Sequence, residues 1–284
     1  MDTKTALVVV DADCSEQKIR SLLSGLGPDG LHVSLVVASL TPTIPAMTYA
    51  EATYGAVVFP EDWQDRFKQE SQSIAEIANG LEKVLQDMGL SGEVATVFRD
   101  APTLEFDLAA HAAVSDIAFL CPNLVQSKAV QRSAVHAILF DSPIGCICNS
   151  RDMAATLAAR RVLVAWDGSV SSARAVHQAL PILKAAGSVT VALFDPVETD
   201  QRAGETPGAE VAAWLSRRGV AVEVAQLPTG GKPVADCITA QAGQMGADLV
   251  VMGAYGHSRF RQMMFGGTTQ TMITQTDLTV LFAH

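Results

Sequence analysis

No stretch of this 284-residue chain approaches 18 uninterrupted apolar residues, which excludes a long apolar membrane-spanning helix. The opening MDTKTALVVVDADCS has neither the basic start nor the long apolar core of a secretion signal, so a cytoplasmic protein with no membrane partner is expected. Cysteine is sparse and odd in number: Cys14, Cys121, Cys146, Cys148 and Cys237. Cys146 and Cys148 alternate in IGCICN and share one face of a strand, yet no His/Cys pair follows at zinc-ligand spacing. Reduced, buried thiols are expected. Basic charge is also lacking. Residues 1–150 hold 19 acidic against 9 basic side chains, whereas residues 151–284 hold 11 of each. An acidic half repels polyanions, so nucleic acid is not an expected partner, and a small anionic ligand would prefer the second half.

Familiar catalytic and phosphate signatures are missing too. There is no Gly-Lys-Ser/Thr, no G-x-G-x-x-G after a first strand, no H-E-x-x-H and no G-x-S-x-G. No catalytic residue is assigned.

What the chain does contain is an internal repeat. TALVVVDADCSEQKIRSLLSGL matches RRVLVAWDGSVSSARAVHQALPIL at 160–183; each is an apolar strand ending near an Asp, then a Ser-led amphipathic helix. DIAFLCPN at 116–123 matches DLVVMGAY at 248–255, and SPIGCICN at 142–149 matches DLTVLFAH at 277–284. Further strands and helices fill the gaps, with helices near 63–88, 102–113, 206–218 and 232–246. Each half reads as five apolar strands alternating with helices, the pattern of a doubly wound α/β fold with a parallel sheet covered on both faces. Domains at 1–150 and 160–284 are expected, joined through 149–159. The first half also carries a long segment after its second strand, TPTIPAMTYAEATYGAVVFPEDWQ, expected to be a surface loop.

The copies differ at one place. After the strand DLVVM, the second half has Gly253, Gly256, Gly266 and Gly267, followed by Thr268 and Thr269. The first half has Cys121, Leu124, Val130 and Gln131 there. Glycine serves either a turn or the close approach of backbone to a ligand. Glycines kept in only one copy point to the ligand. In an open α/β sheet, ligands sit beyond the C-terminal strand edge, so Gly253 and Asp167 should emerge side by side. Gly266 and Gly267 would open a helix whose free N–H groups suit phosphate, with His257, Arg259 and Arg261 between the glycine pairs.

The spacing G253-x2-G256-x9-G266-G267-T268 resembles the ATP-binding signature of universal stress proteins, and RVLVAWDGS and DLTVLFAH resemble that family's first and fifth strands. The likeness is strong over 160–284, with 1–150 a degenerate copy, as in tandem universal stress proteins. It implies a five-stranded sheet of order 3-2-1-4-5, adenine nucleotide alpha hydrolase-like, binding ATP, ADP or AMP. Adenine would be held near Ala165, Asp167 and Phe194, and ribose and phosphates near Gly253, Gly256, His257, Arg259, Gly266, Gly267, Thr268 and Thr269. Asp167 is the candidate Mg2+ contact. Gly267 stands where the family has Ser or Thr, so backbone contacts are the part expected to carry over. The resemblance implies a stress-response role with one competent site, in the C-terminal half. The alternatives are a ligand-free interaction protein and a slow ATP hydrolase. The last strands of the two halves are expected to pair within the chain, since each would otherwise leave an apolar edge open; a homodimer is the other arrangement.

Overall fold

A computed structural model describes residues 4–28, 30–44, 59–196, 207–256, 267–275 and 277–284. Most of the long segment after the second strand, His257 to Gly266, and Arg259 and Arg261 with them, lie outside the described residues.

The first half runs β1 (Lys4–Val10), α1 (Glu16–Leu22), β2 (Leu31–Leu40), α2 (Glu61–Asp87), β3 (Gly92–Arg99), α3 (Ala101–Ala113), β4 (Ile117–Leu120), α4 (Lys128–Asp141) and β5 (Gly145–Cys148). A single turn of 3-10 helix, Pro122–Val125, lies between β4 and α4. The segment 149–159 carries a short helix, α5 (Met153–Leu157), capped by the Asp152 side chain on the Ala155 N–H. The second half repeats the scheme: β6 (Arg161–Ala165), α6 (Val170–Ala185), β7 (Ser188–Phe194), α7 (Ala209–Ser216), β8 (Val222–Leu227), α8 (Val234–Met245), β9 (Leu249–Gly253), α9 (Gly267–Thr274) and β10 (Val280–Ala283).

The strand order across the sheet is β3-β2-β1-β4-β5-β10-β9-β6-β7-β8, so each half has the order 3-2-1-4-5. Within each half every pairing is parallel. The halves meet at β5 and β10, which pair antiparallel with Val280 opposite Cys148 and Phe282 opposite Cys146. The two five-stranded arrays are therefore one continuous sheet.

Central strands such as β1, apolar from Ala6 to Val10 and fully buried, need cover on both faces. One core, including Ile19, Leu81, Val176 and Leu215, lies under α1, α2, α6 and α7. The other, including Leu108, Ile138, Ile238 and Met272, lies under α3, α4, α8 and α9. Crossovers from β6 and β9 thus leave to opposite faces of the sheet, and a crevice opens between them at the C-terminal strand edge.

Candidate nucleotide site

Three strand ends and one helix start build the site. β6 ends at Ala165. Two residues on, the Asp167 carboxylate accepts the Ser169 N–H at 2.9 Å across Gly168, whose φ of 73° is left-handed. Ser169 in turn caps α6, its hydroxyl oxygen accepting the Ser172 N–H at 3.1 Å. Asp167 is thereby held at the crevice.

β7 ends at Phe194, and Asp195 follows with φ of 46°. The Asp195 carboxylate accepts both the Thr229 N–H, at 3.0 Å, and the Thr229 hydroxyl. These bonds, the hydroxyl first, hold its pKa below the ordinary aspartate value. This carboxylate is committed to tying the loop after β8 to the end of β7.

β9 ends at Gly253. The Ala254 N–H continues the pairing to the Ala283 carbonyl at 2.8 Å, and Tyr255 follows with φ of 56°. Its N–H donates to the Thr269 hydroxyl oxygen at 3.2 Å, so the β9 turn is tied to the first turn of α9.

These pieces enclose a cavity of about 330 Å³, within the range of small-ligand sites. Ala165, Asp167, Phe194, Gly253, Gly256, Thr268 and Thr269 all line it. Gly267 opens α9 beside them. His257, Arg259 and Gly266 fall outside the described residues, so their expected roles are not placed. Sequence reading missed the rest of the wall: Trp166, Leu193, Asp195, Val234, Ile238 and Met252 among others. Signals for some existed. The Asp in LFDP echoes the Asp after β6, and Val234 and Ile238 are one turn apart at the start of α8. The side toward β7 and α8 is formed by Leu193, Phe194, Val234 and Ile238 together with Asp195, while the side toward α9 includes Thr268 and Thr269.

Gly253 was expected to let backbone approach a ligand. It also has a reason within the protein to be glycine: a Cβ there would meet the α6 backbone, at Ser172 N and, at 2.7 Å, Ser171 C. Gly253 is glycine because a helix start crosses it. Gly256 is also crowded by protein: a Cβ would lie 3.1 Å from the Ser169 hydroxyl. At Gly267, by contrast, among the described residues no atom outside its own helix lies within 4 Å of a Cβ.

The first half shows why its copy dispenses with glycine. Register pairs Val9 with Leu120 and Ala165 with Met252, so Asp11 corresponds to Asp167, and Cys121 to Gly253. The helix cap is Ser15, four residues past Asp11, whereas Ser169 is only two past Asp167. The later start leaves room for the Cys121 side chain, which packs thiol to thiol with Cys14 and, with burial, pushes the Cys14 pKa up. Asp11 itself is buried and accepts from the Asn123 amide and, at 2.5 Å, the Ser127 hydroxyl. Side chains of the same half thus satisfy this carboxylate. Leu124 is fully buried in the core rather than lining a cleft, and Gln131 lies on α4 toward the other half.

Residues 158–284 match the model of the universal stress protein family. The second half belongs to the universal stress protein family. Two solved structures share the whole fold. A universal stress protein from Archaeoglobus fulgidus DSM 4304 superposes with a TM-score of 0.60 at 16% identity, over 97% of this chain and 94% of the other. A candidate universal stress protein from Pseudomonas aeruginosa UCBPP-PA14 gives 0.52 at 15% identity, over 99% and 92%. At such identities the likeness is one of fold. No curated protein matches the chain. Among the described residues no helix is long and apolar enough to cross a membrane, and no group of three or more His, Cys, Asp or Glu is placed to hold a metal.

Proposed function

We propose that the second half binds one adenine nucleotide (ATP, ADP or AMP) and that the chain acts in a stress response by binding rather than by turnover. The observation that carries this reading is the single cleft joining the ends of β6, β7 and β9 to the start of α9. Its apolar wall of Phe194, Val234, Ile238 and Met252 suits a flat base. Its opposite wall carries Thr268 and Thr269 in the first turn of α9, and a helix start suits phosphate. Universal stress family membership of this half supports the same ligand.

Mg2+ fits in a limited way. Asp167 brings one hard carboxylate to the cleft, and Mg2+ is commonly held by one or two carboxylates together with nucleotide phosphates. Asp195 is a poor general base, because its carboxylate already accepts the Thr229 N–H and hydroxyl. That favours binding over hydrolysis. In this reading residues 1–150 are a degenerate universal stress domain, its Asp11 position filled by Asn123 and Ser127.

Mass spectrometry of nucleotide released from freshly purified protein, beside an ATP turnover assay, tests the proposal. An adenine nucleotide near one equivalent per chain with negligible turnover is expected. Rapid hydrolysis, or no adenine nucleotide and no ATP binding, would contradict it.

A further inference from the structure

The nucleophilic groups that the cleft does not use are the cysteines, and two turns of the first half bring Cys14 and Cys121 together. The first turn follows β1 and is closed by the Cys14 N–H on the Asp11 carbonyl at 3.2 Å. The second follows β4, where the Cys121 N–H donates to the Val9 carbonyl at 3.0 Å and the Leu124 N–H to the Cys121 carbonyl at 3.0 Å. Asn123 and Ser127 then bond the second turn to the Asp11 carboxylate of the first. The turns are thus clamped together, and both thiols lie in one core beneath them, Cys14 5% and Cys121 3% exposed. Their cover is thin, because Asp13 and Ser15, on either side of Cys14, are exposed. The two sulfurs are in contact but not equivalent. Cys121 accepts the Cys14 S–H and the Asn123 N–H, which hold its pKa below the ordinary thiol value against the cost of burial. The same contact, with burial, pushes Cys14 up. One thiol is therefore ready to give up its proton, and a second stands beside it to complete a bond.

We propose that Cys14 and Cys121 form a reversible disulfide when the protein meets a peroxide. The Cys121 thiolate attacks one oxygen of hydrogen peroxide, the O–O bond breaks and hydroxide leaves, so Cys121 becomes a sulfenic acid. That hydroxide takes up the proton Cys121 released and becomes water. The Cys14 sulfur then attacks the Cys121 sulfur, the S–O bond breaks, and the hydroxyl leaves as a second water with the Cys14 proton. Two thiols are oxidised to one disulfide, and one peroxide is reduced to two waters. The new bond joins the two turns whose counterparts, around Asp167 and Gly253, wall the cleft of the second half. Cys146 and Cys148 are the competing pair, with sulfurs 3.9 Å apart. They alternate along one strand, and two residues of a strand span about 6.6 Å, at the long end of the Cα separation a disulfide accepts. Closing a bond there would also strain β5, which is paired on both sides by β4 and β10.

The test exposes the full chain, reduced and folded, to a small excess of hydrogen peroxide, blocks the remaining thiols and maps the peptides by mass spectrometry. The expected product has lost two hydrogens and contains Cys14 joined to Cys121, and dithiothreitol restores the starting mass. Cys14→Ser is expected to lose the disulfide and to leave Cys121 as a sulfenic acid that dimedone traps. Cys237→Ser, which removes the partly exposed cysteine, should leave the disulfide unchanged. Cys14 and Cys121 both staying reduced while Cys237 oxidises would overturn the proposal. So would a disulfide between Cys146 and Cys148 in its place, or a Cys14–Cys121 bond that forms only after denaturation. The wild-type map decides the matter by itself, should Cys14→Ser fail to fold. The thiol pair does not depend on the nucleotide reading, and ATP binding by the second half has no bearing on any of these outcomes.

Discussion

At the scale of single residues, glycines that look alike in sequence do different work. Gly253 is demanded by the α6 backbone, so Gly253→Ala forces a Cβ into a helix start. A loss of about 1–3 kcal/mol of stability is expected, with or without nucleotide, in line with other overpacked sites. Gly267→Ala meets no described residue outside its own helix and should leave stability unchanged or slightly raised. Denaturant unfolding of the two variants checks the contrast; equal destabilisation would contradict it. Asp195 gives a prediction in pH. Its folded pKa is depressed, so its bond to Thr229 contributes stability above the unfolded value of about 3.9, and that contribution is lost as pH falls through the folded value. Thr229→Val removes the hydroxyl, the largest cause, and the Asp195 pKa followed by carboxyl NMR should rise. An unmoved titration would show that other groups hold it down.

At the scale of elements, the site depends on where helices begin. Ser169→Ala removes the cap of α6 and is expected to cost about 1 kcal/mol, seen in the denaturation midpoint. The Asp167 carboxylate is bonded to the Ser169 backbone N–H, which alanine keeps, so nucleotide affinity should hold while stability falls. An unchanged midpoint would mean that another group caps the helix. The order of strands and helices was legible in the sequence, because runs such as ALVVV and DLVVM are apolar throughout and the intervening helices are amphipathic. So was the position of Asp167, which ends an apolar run and is followed by Ser169. The contribution of α8 was not legible. Val234 and Ile238 also read as ordinary core positions, and only the crossover brings their turn over the end of β7. Nor could sequence show that Gly253 answers to a helix. The deciding difference, a cap two residues from Asp167 against four from Asp11, acts through three-dimensional packing between β9 and α6.

At the scale of the whole molecule, one sheet passes through both halves, and β10 is buried between β5 and β9. Phe282 is wholly buried there, opposite Cys146. Phe282→Ala should cost about 3–5 kcal/mol, and probes in the two halves should report the loss together. Separate transitions, with the first half unaffected, would mean that the seam contributes little. The asymmetry between halves is also a property of the whole chain: Asp167 lines a cavity, while the corresponding carboxylate, Asp11, is buried and bonded to Asn123 and Ser127. Calorimetric titration of ATP into the intact chain and into Gly267→Val tests that asymmetry most directly, with thermal melts alongside. The expected result is one site per chain, weakened at least tenfold by Gly267→Val at an unchanged melting midpoint, since the new side chain meets no described residue outside its own helix but stands at the helix start proposed to hold phosphate. Two equivalent sites, or unaltered affinity in a folded Gly267→Val chain, would contradict a single nucleotide cleft built on α9.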